Sequence, residues 1–132
     1  ANAKLGAVHG FAAPLGGQYH IPHGTVCAAL LPHVMEVNLR ALNSRAQDSR
    51  ALDAYDEIAR VITRSNRSTA EDCIAWIKGL CADLDIPGLS RFGLSESGFP
   101  DLARKAAVAS SMKGNPVVLT DEELLEILTK SL

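Results

Sequence analysis

The chain has 132 residues, of which 47% are hydrophobic and 21% charged, and its formal net charge is -2. That length and composition suffice for one domain with its own core, while the near-neutral charge leaves no basic footprint for nucleic acid and no reason to expect an anionic membrane as partner. No apolar run approaches the roughly 18 residues needed to span a bilayer, and the N-terminal residues lack the charged-then-apolar order of a secretory signal, so a cytoplasmic protein is the expectation.

The opening ANAKLGAV has no initiator Met and runs good helix formers straight toward His9. An excised or truncated domain is expected from it, against ordinary Met removal before Ala1. From Gly6 to Asn38 the chain reads GAVHGFAAPLGGQYHIPHGTVCAALLPHVMEVN, which holds all four histidines and no acidic residue before Glu36. Its first half predicts a small-residue helix around His9, stopped at Leu15-Gly16-Gly17, and Pro22-His23-Gly24 predicts the start of a second helix. Pro32 lies inside that second helix and is expected to kink it or restart its first turn, with the helix running on to about Arg40.

Further along, Leu52, Tyr55, Ala59 and Ile62 recur at helical spacing within an amphipathic helix from Asp48 to about Thr63. Ser68-Thr69-Ala70-Glu71 reads as a capping box for another helix, with Ile74, Ile77, Cys81 and Leu84 as its apolar stripe and Trp76 off centre as a partly buried packing residue. The glycines and prolines between Ile86 and Pro100 predict a loop packed on the bundle. Small residues then carry a helix from Asp101 to Met112, and Lys113-Gly114-Asn115-Pro116 ends it. Thr120-Asp121-Glu122-Glu123 opens a closing helix bearing Leu124, Leu125, Ile127, Leu128 and Leu132. The fold expected is all-α, a single bundle of about six helices, with Val117-Val118-Leu119 too short and isolated to found a sheet.

Neutral imidazoles on either side of a tight helix-to-helix turn suit a divalent metal such as zinc or iron(II). Two ligands fall short of a mononuclear site, which needs about three, and no carboxylate lies in the first thirty-five residues to complete it. His33 reads as a structural histidine packed against a neighbouring helix. His20, separated from His23 by a proline that favours an extended or turn conformation, reads as solvent-facing or cleft-lining. The three cysteines, Cys27, Cys73 and Cys81, show no CxxC spacing, which argues against a disulfide framework and against a thiolate zinc site; all three read as buried reduced thiols. Cys73 and Cys81, eight residues apart on one predicted helix, stand about 12 Å apart, too far to bridge. No GxGxxG or Walker pattern is present.

VHGFAAPLGG, then PHG, then ALLPHVMEVN, with a late GNPVVLT before an acidic helix, closely resembles the signature of the helical domain of the iron-containing alcohol dehydrogenases, a family that includes lactaldehyde and butanol dehydrogenases. The likeness covers essentially the whole chain. It implies the C-terminal half of the helical domain of the dehydroquinate synthase-like fold, with His9 and His23 as two of the metal ligands. The other two ligands of the family, an Asp and a His on an earlier helix, and the dinucleotide-binding domain lie upstream of anything in these residues. Many members carry a second histidine one helical turn after the first, where this chain has Ala13. Ser110, Ser111 and Lys113 fall in a region that in the family resembles the cleft wall near the nicotinamide, although a plain surface turn accounts for them equally well.

The resemblance implies an enzyme that interconverts an alcohol and an aldehyde or ketone with NAD or NADP and a divalent metal, iron or zinc. The 132 residues alone are expected to be inactive and to bind the dinucleotide poorly. Two other readings stay open. One is a free-standing metal-binding or interaction module, perhaps completing a site by homo-oligomerisation through His9, His20 and His23; the other is a purely structural helical domain.

Overall fold

The computed structural model describes residues 5–132, so the expectation for the residues before Leu5 lies outside the described residues. Six α-helices follow in order: α1 (Ala7–Tyr19), α2 (His23–Arg45), α3 (Arg50–Thr63), α4 (Ala70–Asp83), α5 (Phe99–Val108) and α6 (Asp121–Lys130). Short 3-10 turns occupy Leu89–Phe92, Glu96–Gly98 and Ser110–Gly114, and there is no strand among the described residues. The all-α bundle of six helices expected from the sequence is therefore observed.

Several boundaries differ from expectation, each for a local reason. Leu15-Gly16-Gly17 does not stop α1, which continues to Tyr19 and ends at His20 in the left-handed conformation, φ 53°. The helix buries Phe11 and Leu15 completely and packs Tyr19 against the same core. That burial outweighs the roughly 1 kcal/mol per glycine of lost helix propensity. Pro32 neither ends nor restarts α2, which is continuous to Arg45; the ring is buried, so one lost backbone hydrogen bond is offset by packing. The capping box of α4 is shifted one residue, with Thr69 as cap and Asp72 reaching back to the Thr69 N–H at 2.9 Å. Pro100 opens α5 rather than preceding it, since a proline in the first turn forfeits no helical donor. That helix ends at Val108, short of Met112. Thr120 and Glu123 form the capping box of α6 as predicted.

Two hydrophobic clusters share α2. The first packs Phe11 and Leu15 of α1 with Val26, Leu30 and Val34 of α2, Leu102 and Ala106 of α5, and Leu124, Ile127 and Leu128 of α6. The second packs Met35 and Leu39 of α2 with Ala59 of α3 and Cys73, Ile74 and Ile77 of α4. Leu84, expected in the apolar stripe of α4, is 62% exposed instead, because α4 ends at Asp83. Ion pairs stitch the rims: Glu36 of α2 meets Lys78 of α4 at 3.2 Å and Lys130 of α6 at 3.0 Å, and Arg45 makes a two-point contact with Glu123.

Candidate metal centre

His9 lies in the first turn of α1 and His23 is the first residue of α2, with only His20, Ile21 and Pro22 between the two helices. Ile21 is buried and anchors this turn. The imidazoles of His9 and His23 converge, their ring centroids 5.2 Å apart and their planes inclined by 53°. The Cys27 thiol, one helical turn beyond His23 on the same face, lies 3.5 Å from His23 Nε2. Among the described residues, these side chains form the one group of three His, Cys, Asp or Glu whose donor atoms all fall within 4.8 Å of one another. A tetrahedral ion with bonds of about 2.0 to 2.3 Å places its donors about 3.3 to 3.8 Å apart. The three side chains therefore fit a small divalent cation after minor rotation. His9 and Cys27 are half-buried and His23 is exposed, so one face of the cluster is open.

Local packing fixes where these donors stand. Gly10, next to His9, faces Met112 and α5: an added Cβ would lie 2.9 Å from Met112 Cε, which would have to swing aside, and in ordinary contact, 3.5 Å, with the Ala106 carbonyl oxygen. The start of α1 is held by a distant residue. Asn115 Oδ1 accepts the Ala7 N–H at 3.0 Å, one of the orphan donors of the first turn. The Asn115 amide in turn donates to Asn38 Oδ1 at 2.7 Å and to the Val117 carbonyl at 2.8 Å. Asn38 is buried on α2, so a single amide pair ties together the helices that carry the donors. On α2, Val26 and Leu30 flank Cys27 with no exposure. Burial raises the Cys27 thiol above its ordinary range, leaving it protonated in the absence of a cation.

Beside the cluster runs a groove of about 550 Å³ lined by Val8, His9, Cys27, Leu31, Met35 and Tyr55, with Gly114, Asn115 and Pro116 at its edge. Those last three residues, rather than Ser110, Ser111 and Lys113, border the groove with His9. A larger groove of about 680 Å³ between α2 and α4, lined by Glu36, Arg40 and Lys78 among others, contains none of the three donors. His20 is exposed at the end of α1, outside the cluster. His33 is half-buried with Nδ1 unpartnered, and burial lowers its pKa, with the nearby Lys78 adding to the effect. Both behave as the sequence suggested. Cys73 is buried as expected, whereas Cys27 and Cys81 are only half-buried, and all three are free thiols.

Two contributions to the site escaped the sequence reading. Cysteine–cysteine spacing gives Cys27 no partner, but the His23/Cys27 interval of four places the two side chains on one face of a helix. Asn115 reads in the sequence as part of a helix stop, and its reach across 108 positions to Ala7 has no local signal.

Comparison with known proteins agrees with this fold. The Fe-containing alcohol dehydrogenase family, C-terminal, matches residues 1–132. The chain is 36% identical to alcohol dehydrogenase 4 of Saccharomyces cerevisiae over 131 residues, covering 98% of this chain and 32% of the yeast protein. It is 35% identical to 1,3-propanediol dehydrogenase of Klebsiella pneumoniae, over 98% of this chain and 33% of that protein. Among solved structures, an alcohol dehydrogenase from Oenococcus oeni superposes with a TM-score of 0.83 at 34% identity, over 99% of this chain and 33% of that one. The chain thus spans about a third of the length of the curated relatives it matches. No described helix is long and apolar enough to cross a membrane. From sequence, fold and matched span together, the chain belongs to the iron-containing alcohol dehydrogenase family and corresponds to its C-terminal helical part.

Proposed function

We propose that these residues form the metal-holding wall of the active-site cleft in an NAD(P)-dependent dehydrogenase that interconverts alcohols and their aldehydes or ketones. The observation that carries this reading is the convergence of His9 and His23 from two helices in a chain of this family. Its relatives include a lactaldehyde reductase from Escherichia coli, at 33% identity, the propanediol dehydrogenase above, and a long-chain-alcohol dehydrogenase from Geobacillus thermodenitrificans, at 36% identity, so the substrate class is alcohols and their carbonyl partners of varied chain length. A divalent ion, iron or zinc, would supply the electrophile that polarises the substrate oxygen while hydride passes to or from the nicotinamide.

His9 and His23 each offer one imidazole nitrogen to that ion. The half-buried ring of His9 is steadied by the Asn115 anchor at the start of α1, while the exposed ring of His23 faces the open side where substrate would enter. The groove beside His9 is lined largely by apolar side chains, Val8, Leu31 and Met35 among them, which disfavour ordered water next to the ion. The residues that bind the nicotinamide cofactor and the remaining metal ligands, a carboxylate among them, lie outside 1–132, so the 132-residue chain by itself binds metal but turns over no alcohol.

Calorimetric titration of the chain with zinc and iron(II), beside a His9→Ala/His23→Ala double variant, tests this directly. One ion per chain is expected, lost in the double variant, with no NAD(P)-linked oxidation of propanediol or lactaldehyde reduction. Retention of the same stoichiometry without both histidines would remove the metal reading, and turnover by the isolated chain would remove the division of labour.

A further inference from the structure

We propose that Cys27 is a third donor to the ion held by His9 and His23, giving this chain a face of two nitrogens and one sulfur that prefers zinc or cobalt to iron(II); the inference rests on the metal reading above. The distance between His23 Nε2 and Cys27 Sγ is 3.5 Å. A tetrahedral ion with a nitrogen bond of about 2.05 Å and a sulfur bond of about 2.3 Å sets its N and S donors about 3.6 Å apart. That edge of the coordination polyhedron is therefore already present, and His9 brings its donor within 4.8 Å of both.

The thiol has little else to do. Among the described residues its polar contact is His23 alone, and the side chain stands half-buried at the groove it shares with His9. Its place is set by α2 itself, between Val26 and Leu30, which have no exposure at all. On coordination the sulfur–hydrogen bond breaks, the electron pair stays on sulfur to bind the ion, and the proton leaves to solvent. A thiolate is a soft ligand and favours zinc or cobalt, whereas iron(II) also stands below both in the divalent affinity order for a given site. The sulfur also gives these 132 residues three donors of their own, about the number that a mononuclear site needs.

Cobalt(II) titration of the 132-residue chain provides a readout independent of turnover, because thiolate sulfur adds a charge-transfer band in the near ultraviolet to the visible ligand-field bands. The wild-type chain is expected to show both. Cys27→Ala should keep the visible bands, lose the charge-transfer band, and bind cobalt roughly ten- to a hundredfold more weakly, at least the loss that follows removal of an outer partner of a ligand. Zinc should bleach the wild-type spectrum at concentrations where iron(II) leaves it intact. Visible bands that depend on both histidines, without a charge-transfer band, would overturn the role of Cys27 while leaving the metal reading in place. A charge-transfer band that survives Cys27→Ala would overturn it too, by assigning the sulfur to another cysteine. No cobalt bound by any variant would overturn both readings, and iron(II) displacing cobalt as well as zinc does would overturn the preference.

Discussion

The two hydrophobic clusters that share α2 are built differently. Around the N-terminal half of α2, Phe11, Leu15, Val26, Leu30 and Leu102 have no exposure, and four helices contribute to one core. Around its C-terminal half, the α3–α4 pair adds a thin layer of Cys73, Ile74 and Ile77, while Ile58, Val61 and Trp76 stay 48%, 73% and 44% exposed. Every candidate donor sits on the thick side. A metal site requires its ligands to be held within a fraction of an ångström, and a close-packed surround provides that because its side chains have no alternative rotamers to occupy. The α3–α4 pair, with less to hold in place, is free to present apolar surface.

The sharpest way to break this contrast is to cut a cavity in each cluster and compare what is lost. Phe11→Ala is expected to cost about 3–5 kcal/mol, and Ile77→Ala, at the partly exposed edge of the thin cluster where collapse is easier, about 2–3 kcal/mol. Urea unfolding measures both. Under conditions where both variants are still folded, Phe11→Ala should also weaken zinc binding and Ile77→Ala should not. Equal loss of metal affinity in the two would mean that the donors are positioned by the domain as a whole.

A smaller effect is expected from the amide link that joins α1 to α2. Asn115→Ala removes the acceptor of the Ala7 N–H and leaves buried Asn38 without its partner, at a cost of about 1–3 kcal/mol. Because the lost bond caps the turn that carries His9, amide hydrogen exchange should rise at Ala7 and Val8 before it rises in α4. Exchange that rises uniformly along the chain would show a global loss of stability with no local role for the anchor.

How much of this could be read from the sequence follows from the range of each signal. The capping box at Thr120–Glu123 depends on residues three apart, and it stands where the sequence put it. The pairing of His9 with His23 was also legible, because only a three-residue turn separates their helices and the resemblance to the family marked both. The extent of α1 past Gly16 and the continuity of α2 through Pro32 were not, since each is decided by burial against helices distant in sequence, which overrides local propensity. Asn115 was invisible for the same reason. The proximity of Cys27 to His23 is legible too, since the two are one turn apart on a helix that the sequence predicts.

The least of the expected effects concerns the rim, where the Arg40 guanidinium on α2 makes a two-point contact with Glu126 on α6, one bond at 2.9 Å. This hydrogen-bonded contact is the main reason that Glu126 is held well below the ordinary carboxylate value of 4.5, at about 2. Above pH 5 the group is ionised in both folded and unfolded chains, so its stabilisation is fully present. As pH falls from about 4.5 toward 2 the unfolded chain takes up a proton that the folded chain refuses, and the stabilisation is progressively lost. Arg40 is 52% and Glu126 29% exposed, so solvent screening keeps the contribution to about 0.5–1 kcal/mol. Glu126→Gln should therefore be less stable than the parent by about that amount at pH 6, with the gap closing between pH 4 and pH 2 and shrinking in high salt. Taking the difference between the two proteins cancels most of the contribution of Glu123, whose main partner is Arg45, whereas Glu36 shares Lys130 with Glu126 and is coupled to the substitution. Zinc affinity at pH 6 should be unchanged by the substitution. If it fell as far as in Phe11→Ala, the rim rather than the thick core would be holding α2 in register, and the contrast between the two clusters would lose its functional meaning.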